Sequence, residues 1–201
     1  MNICLVIPTM QRAYNGFEYI QHTLKANQPF MHVFRTFIYA HPEDMDMLPH
    51  KYPCIPRVSH QQTICDYGIK PDSYAYWRTH LCMDFVYAMT RAMELDSSSE
   101  YFAWIEDDVL FRPNCIEVLQ KTIINPLFTW CTGGVGATFL LFKRHTLVEF
   151  CKSISQHWFE DKPLDWMFDL IPTKNSYINI TGHIGRVSSR TDTVITRIVN
   201  I

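Results

Sequence analysis

The chain has 201 residues and a mass of 23.7 kDa, with 47% apolar and 19% charged residues. That length favours a single domain, and the apolar share supports a sizeable core and excludes wholesale disorder. Eighteen basic residues face twenty acidic ones, for a formal net charge of -2, which argues against a nucleic-acid binder driven by counterion release and against a polybasic membrane-surface protein.

The first apolar run, Ile3 to Ile7, stops at Pro8-Thr9 and reads as a buried strand. It carries no basic leader and no small-residue cleavage site, so a cytoplasmic protein is expected. The seven cysteines are scattered without a CxxC pair, as expected of reduced structural thiols. Phe17, Ile20 and Leu24 recur at helical spacing, which predicts a helix over 16–26. Residues 32–40 predict a second strand, followed by a loop punctuated by Pro42, Pro49, Pro53 and Pro56.

The longest helical pattern covers 74–95, with Leu81, Phe85, Ala88, Met89 and Ala92 on one face. Residues 101–105 form a continuous apolar run, the pattern of a strand covered on both faces. Arg112-Pro113-Asn114 opens a helix to about residue 124. Residues 135–142 predict a strand, 146–158 a helix and 163–170 a shorter helix, with a last β-prone run at 194–199. Alternating strands and helices predict an α/β fold with a mixed, mostly parallel central sheet flanked by helices. In such folds ligands sit beyond the carboxyl ends of the strands, here after Ile7 and after Ile105. No P-loop and no GxGxxG pattern is present.

Glu106, Asp107 and Asp108 follow the apolar strand directly. Ionised carboxylates so close repel one another and are costly to bury unpaired, and a divalent cation such as Mg2+ or Mn2+ resolves the repulsion. Strand alternation puts Glu106 and Asp108 on one side and Asp107 on the other, unless the strand breaks there. The structural alternative is an acidic strand end that caps the next helix.

These acids belong to an ordered set of blocks: Trp77-Arg78-Thr79, Asp84, Tyr87-Ala88-Met89, the stretch 101–108, Lys162-Pro163-Leu164-Asp165-Trp166, and His183-Ile184-Gly185 followed by Ser188-Ser189. As a set they resemble the GT-A glycosyltransferases, and more narrowly the N-acetylglucosaminyltransferase IV group. The chain as a whole resembles the glycosyltransferase domains that decorate viral capsid proteins. The resemblance implies a Rossmann-like GT-A domain over 1–201, with a donor-binding half to about 111 and an acceptor half from about 112. It also implies a nucleoside diphosphate sugar donor, of which a UDP-sugar is the expected kind, and a glycan or glycoprotein acceptor. The chain is compatible with being part of a longer multidomain protein.

Residue by residue, the resemblance gives Glu106-Asp107-Asp108 the place of the DXD-type motif, with Glu replacing the first Asp. Asp108 and His183 become the metal ligands. Arg78, Asp84, Ser188 and Ser189 are implied near the nucleotide and diphosphate, as is the neighbouring Arg190. Thr9, Gln11 and Arg12, after the first strand, fall where base and ribose are contacted. Asp165 takes the place of the base that deprotonates the acceptor hydroxyl, with an N-cap or first-turn Asp of the 163–170 helix as the structural alternative. Trp158, Trp166, Tyr74, Tyr76 and Trp77 suit stacking on sugars and equally suit a core. Two other classes share some of these features. A sugar-phosphate nucleotidyltransferase would also have an acidic metal site, but it would carry a glycine-rich loop after the first strand, which Pro8-Thr9-Met10-Gln11-Arg12 is not. A carbohydrate-binding module would match the aromatic content but not the acidic strand end.

Overall fold

Alternating side-chain burial along β1 (Ile3–Pro8) sets the architecture. Cys4 and Val6 enter one core while Ile3, Leu5 and Ile7 enter another, so this strand is covered on both faces, as its continuous apolar run requires. The same two-sided pattern holds in β4 (Tyr101–Ile105) and in β7 (Phe139–Lys143). The computed structural model describes residues 1–10, 16, 18–71, 73–134, 138–160, 162–173 and 176–183.

The remaining described strands and α-helices, in chain order, are α1 (Glu18–Ala26), β2 (Phe34–Ala40), β3 (Cys54–Pro56), α2 (Gln61–Asp66), α3 (Tyr74–Leu95), β5 (Val109–Phe111), α4 (Cys115–Ile123), β6 (Trp130–Thr132), α5 (Arg144–His157), β8 (Ser176–Tyr177) and β9 (Thr181–His183). Seven strands form one sheet in the order β3-β2-β1-β4-β7-β6-β8. The β1–β2, β1–β4, β2–β3 and β6–β8 pairs are parallel, and β7 runs antiparallel to both β4 and β6. On one face lie α3 and α5, with Phe85, Met89, Phe150 and Ile154 against Val6, Trp104 and Phe142. On the other lie α1 and α4, with Ile20, Leu24 and Leu119 against Leu5, Ile105 and Leu141. The result is the predicted three-layer α/β fold with a mixed, mostly parallel sheet.

Several predicted elements move. The helix expected over 16–26 is described from Glu18. A 3-10 turn (Met31–Val33) precedes β2, and the proline-punctuated loop contains β3, a three-residue edge strand. Only Phe139 onward is strand in the run expected over 135–142, and residues 135–137 lie outside the described residues. The short helix at 163–170 is a 3-10 helix (Leu164–Leu170), in which Trp166 N–H donates to Pro163 O at 3.0 Å, the i to i+3 bond of that geometry. The run at 194–199 lies outside the described residues, as do Gln11, Arg12, Ser188, Ser189 and Arg190.

Topology brings distant segments to one edge. α3 leads into β4, and its N-terminus therefore lies toward the carboxyl ends of β1, β2 and β4. Ser73 caps that end by accepting from Tyr76 N–H at 3.1 Å. Because β7 is reversed, α5 returns toward the same edge and delivers the segments 158–160 and 164–170 there.

Candidate active site

The strand does break after Ile105. Glu106 follows as an irregular residue, and Asp107-Asp108 form a turn before the chain re-enters extended conformation as β5. This corrects the simple alternation of the three acids. Glu106 is half-buried, and Asp107 and Asp108 are 5% and 6% exposed.

The turn and the strand that follows it are held from three directions. Thr9, one residue beyond β1, donates through Oγ1 to Asp107 Oδ2 at 2.7 Å, and its own N–H donates to Tyr39 O at 2.9 Å. Thr23 of α1 donates through Oγ1 to Asp107 O at 2.6 Å. Asn27, just past α1, acts as a surrogate strand partner for β5. Its Nδ2 donates to Val109 O at 2.9 Å, and its Oδ1 accepts from Phe111 N–H at 2.7 Å. Asn27 is 2% exposed and Thr23 is 1% exposed. Sequence reasoning missed both, because a Thr inside a helix and an Asn after one carry no signal beyond ordinary helix chemistry.

The second strand of this small unit comes from the far end of the chain. β9 pairs antiparallel with β5, and His183 is the Cα partner of Val109, the residue after Asp108. Its register is pinned by Thr181, whose N–H and Oγ1 donate to Gly133 O at 3.1 and 2.7 Å. Two positions 75 residues apart in the chain, 108 and 183, are thereby brought together.

Thr9 thus joins the acid turn as a support of Asp107. Asp84 lies elsewhere, at the centre of a buried polar cluster on the α3 side of β2. Its Oδ1 accepts from Tyr39 OH at 2.6 Å, and its Oδ2 from His80 Nδ1 at 3.0 Å and from the Arg57 guanidinium. His60 Nε2 stands 3.5 Å from Oδ1. Burial by itself pushes this carboxyl up, but the bonds from His60 and His80 and the charge of Arg57 outweigh it and hold the group well below the usual carboxylate range. Arg57 also reaches His41 Nε2 at 3.3 Å.

Arg78 and Asp165 lie around the N-terminal part of α3. The Arg78 guanidinium covers the Tyr74 ring at 4.1 Å. Asp165 is half-buried in the first turn of the 3-10 helix, as the structural alternative also has it, and the N-cap is Pro163. Between them sits Cys82, pushed up to about 12 by burial and by the Asp165 charge, with Arg78 acting in the opposite sense. Cys82 Sγ also donates to Lys162 O at 3.6 Å, which ties the segment before Asp165 to α3.

Among the described residues, no group of three His, Cys, Asp or Glu side chains is gathered as a ready-made metal cage. The donor chemistry at the turn nevertheless fits a hard divalent ion. Carboxylates stand at successive positions, Asp107 is oriented by a hydroxyl donor, and a histidine position is paired across β5–β9.

No protein-family model matches the chain, and no curated protein matches it in sequence. Solved structures do share its fold. It is similar to a glycosyltransferase involved in the glycosylation of the major capsid of PBCV-1, at 11% identity over 94% of this chain and 95% of that one, with a TM-score of 0.55. It is similar to 4-diphosphocytidyl-2C-methyl-D-erythritol synthase from Anaerococcus prevotii, at 10% identity over 97% and 93% of the two chains, with a TM-score of 0.50. The chain has the GT-A fold. A lower likeness, with a TM-score of 0.48, links it to mouse xyloside xylosyltransferase 1, at 11% identity over 89% and 85% of the two chains. At such identities the likeness is one of GT-A architecture.

Proposed function

We propose that the chain is a metal-dependent glycosyltransferase that moves a sugar from a nucleoside diphosphate, with UDP as the favoured carrier, to a glycan acceptor. The observation that carries this reading is the acid turn 106–108, clamped by Thr9 and Thr23 beyond the carboxyl end of β4 and continued into a β5 that Asn27 holds, with the strand bearing His183 laid beside it. Asp108 and His183 would hold Mn2+ or Mg2+, and Glu106 and Asp107 would shape the donor side. When bound, the ion supplies positive charge to the departing diphosphate. Asp107 has one oxygen committed to Thr9, so its carboxylate is fixed in orientation. Gln11, Arg12, Ser188, Ser189 and Arg190 are carried as further donor contacts.

Arg78 is assigned to diphosphate charge. Asp84 acts through the cation it holds: both its oxygens are engaged, so it positions Arg57 and His80. Asp165 is assigned the acceptor side, where its carboxylate takes the proton from the attacking hydroxyl in an inverting transfer. The sequence blocks around these residues support a kinship with the N-acetylglucosaminyltransferase IV group. They also support a protein-linked glycan as acceptor, of the kind found on a viral capsid protein. The donor half to about 111 and the acceptor half share the site, since β9 crosses from one to the other.

The GT-A fold serves a glycosyltransferase and a diphosphocytidyl synthase alike, so fold alone does not choose the chemistry. The glycine-free stretch Pro8 to Arg12 disfavours nucleotidyl transfer. The deciding experiment is calorimetry with UDP, with and without MnCl2. Binding is expected only with metal, lost in chelator and lost in Asp108→Asn, while Asp165→Asn retains it. Metal-independent binding, or full binding by Asp108→Asn, would overturn the reading.

A further inference from the structure

Beside the segment that delivers Asp165 stands a pair of aromatic rings outside every block of the family resemblance. Tyr67, just past α2, and Phe159 are 61% and 44% exposed. Their rings are stacked, with centroids 5.5 Å apart and planes 18° from parallel. The edge of the buried Trp158 props Tyr67 at 4.7 Å. Trp158 is in turn fixed to α3, since Thr79 Oγ1 donates to its carbonyl at 3.4 Å. The shelf is therefore rigid although it faces water, and exposed stacked aromatics call for a reason.

The rim says what kind of molecule fits. Glu160, the next residue, accepts from Lys162 Nζ and from His157 Nδ1, each at 2.6 Å. A carboxylate has about four acceptor positions, so two remain, and Lys162 keeps further N–H donors. A flat apolar surface bordered by a fixed carboxylate and an ammonium is complementary to a pyranose, whose C–H face lies on a ring while its hydroxyls reach outward. A protein partner would favour an apolar centre and charges kept to a distant rim. From Lys162 the chain reaches Asp165 in three residues, a span of at most about 11 Å, so one oligosaccharide can touch both.

We propose that the Tyr67–Phe159 shelf is an outer acceptor subsite that stacks a pyranose of the acceptor glycan, away from the sugar that receives transfer, with Glu160 and Lys162 binding its hydroxyls. This rests on the glycosyltransferase reading and adds the acceptor's form: an oligosaccharide rather than a single sugar. Tyr67 and Phe159 are exposed, so truncating them leaves the core intact, which a thermal melt checks.

The test is saturation-transfer NMR with three probes, chitotetraose, cellotetraose and mannotetraose, on the wild type, Tyr67→Ala, Phe159→Ala, Glu160→Gln and Tyr67→Trp. UDP–Mn2+ calorimetry is run on the same samples. At least one tetrasaccharide is expected to bind. Either alanine variant should weaken it by roughly two- to tenfold, the worth of one aromatic contact. Tyr67→Trp should retain it, and UDP–Mn2+ binding should not change. If no tetrasaccharide binds while UDP–Mn2+ does, or if Tyr67→Ala leaves sugar binding untouched and instead dissolves a dimer in sedimentation, the subsite is overturned and the donor reading stands. Tyr67-dependent sugar binding without UDP–Mn2+ binding would keep the shelf as a glycan surface and remove the donor reading.

Discussion

Thr9 and Asp84 show how single side chains set the electrostatics of this edge. The Thr9 hydroxyl bonds a carboxylate that is only 5% exposed, and bonds to charged groups are worth about 1.5–3 kcal/mol. Thr9→Val should cost about that much in urea denaturation and weaken UDP–Mn2+ binding, while Thr9→Ser restores both. Asp84 is more strongly committed. Its pKa is depressed in the folded chain, so its contribution is fully present above the unfolded carboxylate value of about 3.9 and is lost as pH falls below it. Asp84→Asn leaves Arg57 without its buried counter-charge and should cost about 3–5 kcal/mol at pH 7. Stability measured from pH 5 down to pH 3 should fall less steeply in Asp84→Asn than in the wild type. An unchanged slope would mean that other carboxylates carry the acid sensitivity.

Among the elements, β5–β9 is the one on which the site depends. Three residues per strand are too few for a hairpin to be stable alone. Its order comes from Asn27 on one side and from the Gly133 carbonyl on the other. Position 133 admits no side chain, because a Cβ there would meet Phe139 Cδ1 at 2.5 Å. Asn27→Ala removes a donor and an acceptor at once and leaves the Val109 carbonyl and the Phe111 amide buried and unpaired, at about 1–3 kcal/mol each. Hydrogen exchange should report the loss locally: the Phe111 amide should exchange much faster in Asn27→Ala, while amides of β1 and β4 keep their protection. Equal loss across the sheet would show that Asn27 supports the whole fold rather than this element.

For the whole molecule, the seven cysteines offer a measure of cooperativity. All are free thiols, and Cys4, Cys82, Cys115, Cys131 and Cys151 are buried across both layers of the core. Burial pushes Cys115 up to about 11 and Cys4, Cys82 and Cys151 up to about 12, so little thiolate exists at neutral pH. In a thiol titration of the native protein the half-buried Cys54 and Cys65 should react first, and the other five together, at the rate of global unfolding. Staggered reaction of the five would show that the two layers open separately.

The amino-acid sequence by itself determined the layers. A long apolar run such as 101–105 or an amphipathic run such as 74–95 carries its burial pattern locally, and local pattern is what a linear reading can detect. It also marked the acids at 106–108, because ionisable groups directly after a fully apolar strand are expensive unless something uses them. It could not show the three-residue strands at 54–56, 109–111, 130–132 and 181–183, which are shorter than any period and owe their form to neighbours. Tertiary structure alone decided that the chain breaks at Glu106, that Thr23 and Asn27 hold the acid turn and β5, and that residue 183 lies across from Val109. Each of these depends on hydrogen bonds between groups tens of residues apart, and such pairings form only after the sheet has brought the segments together.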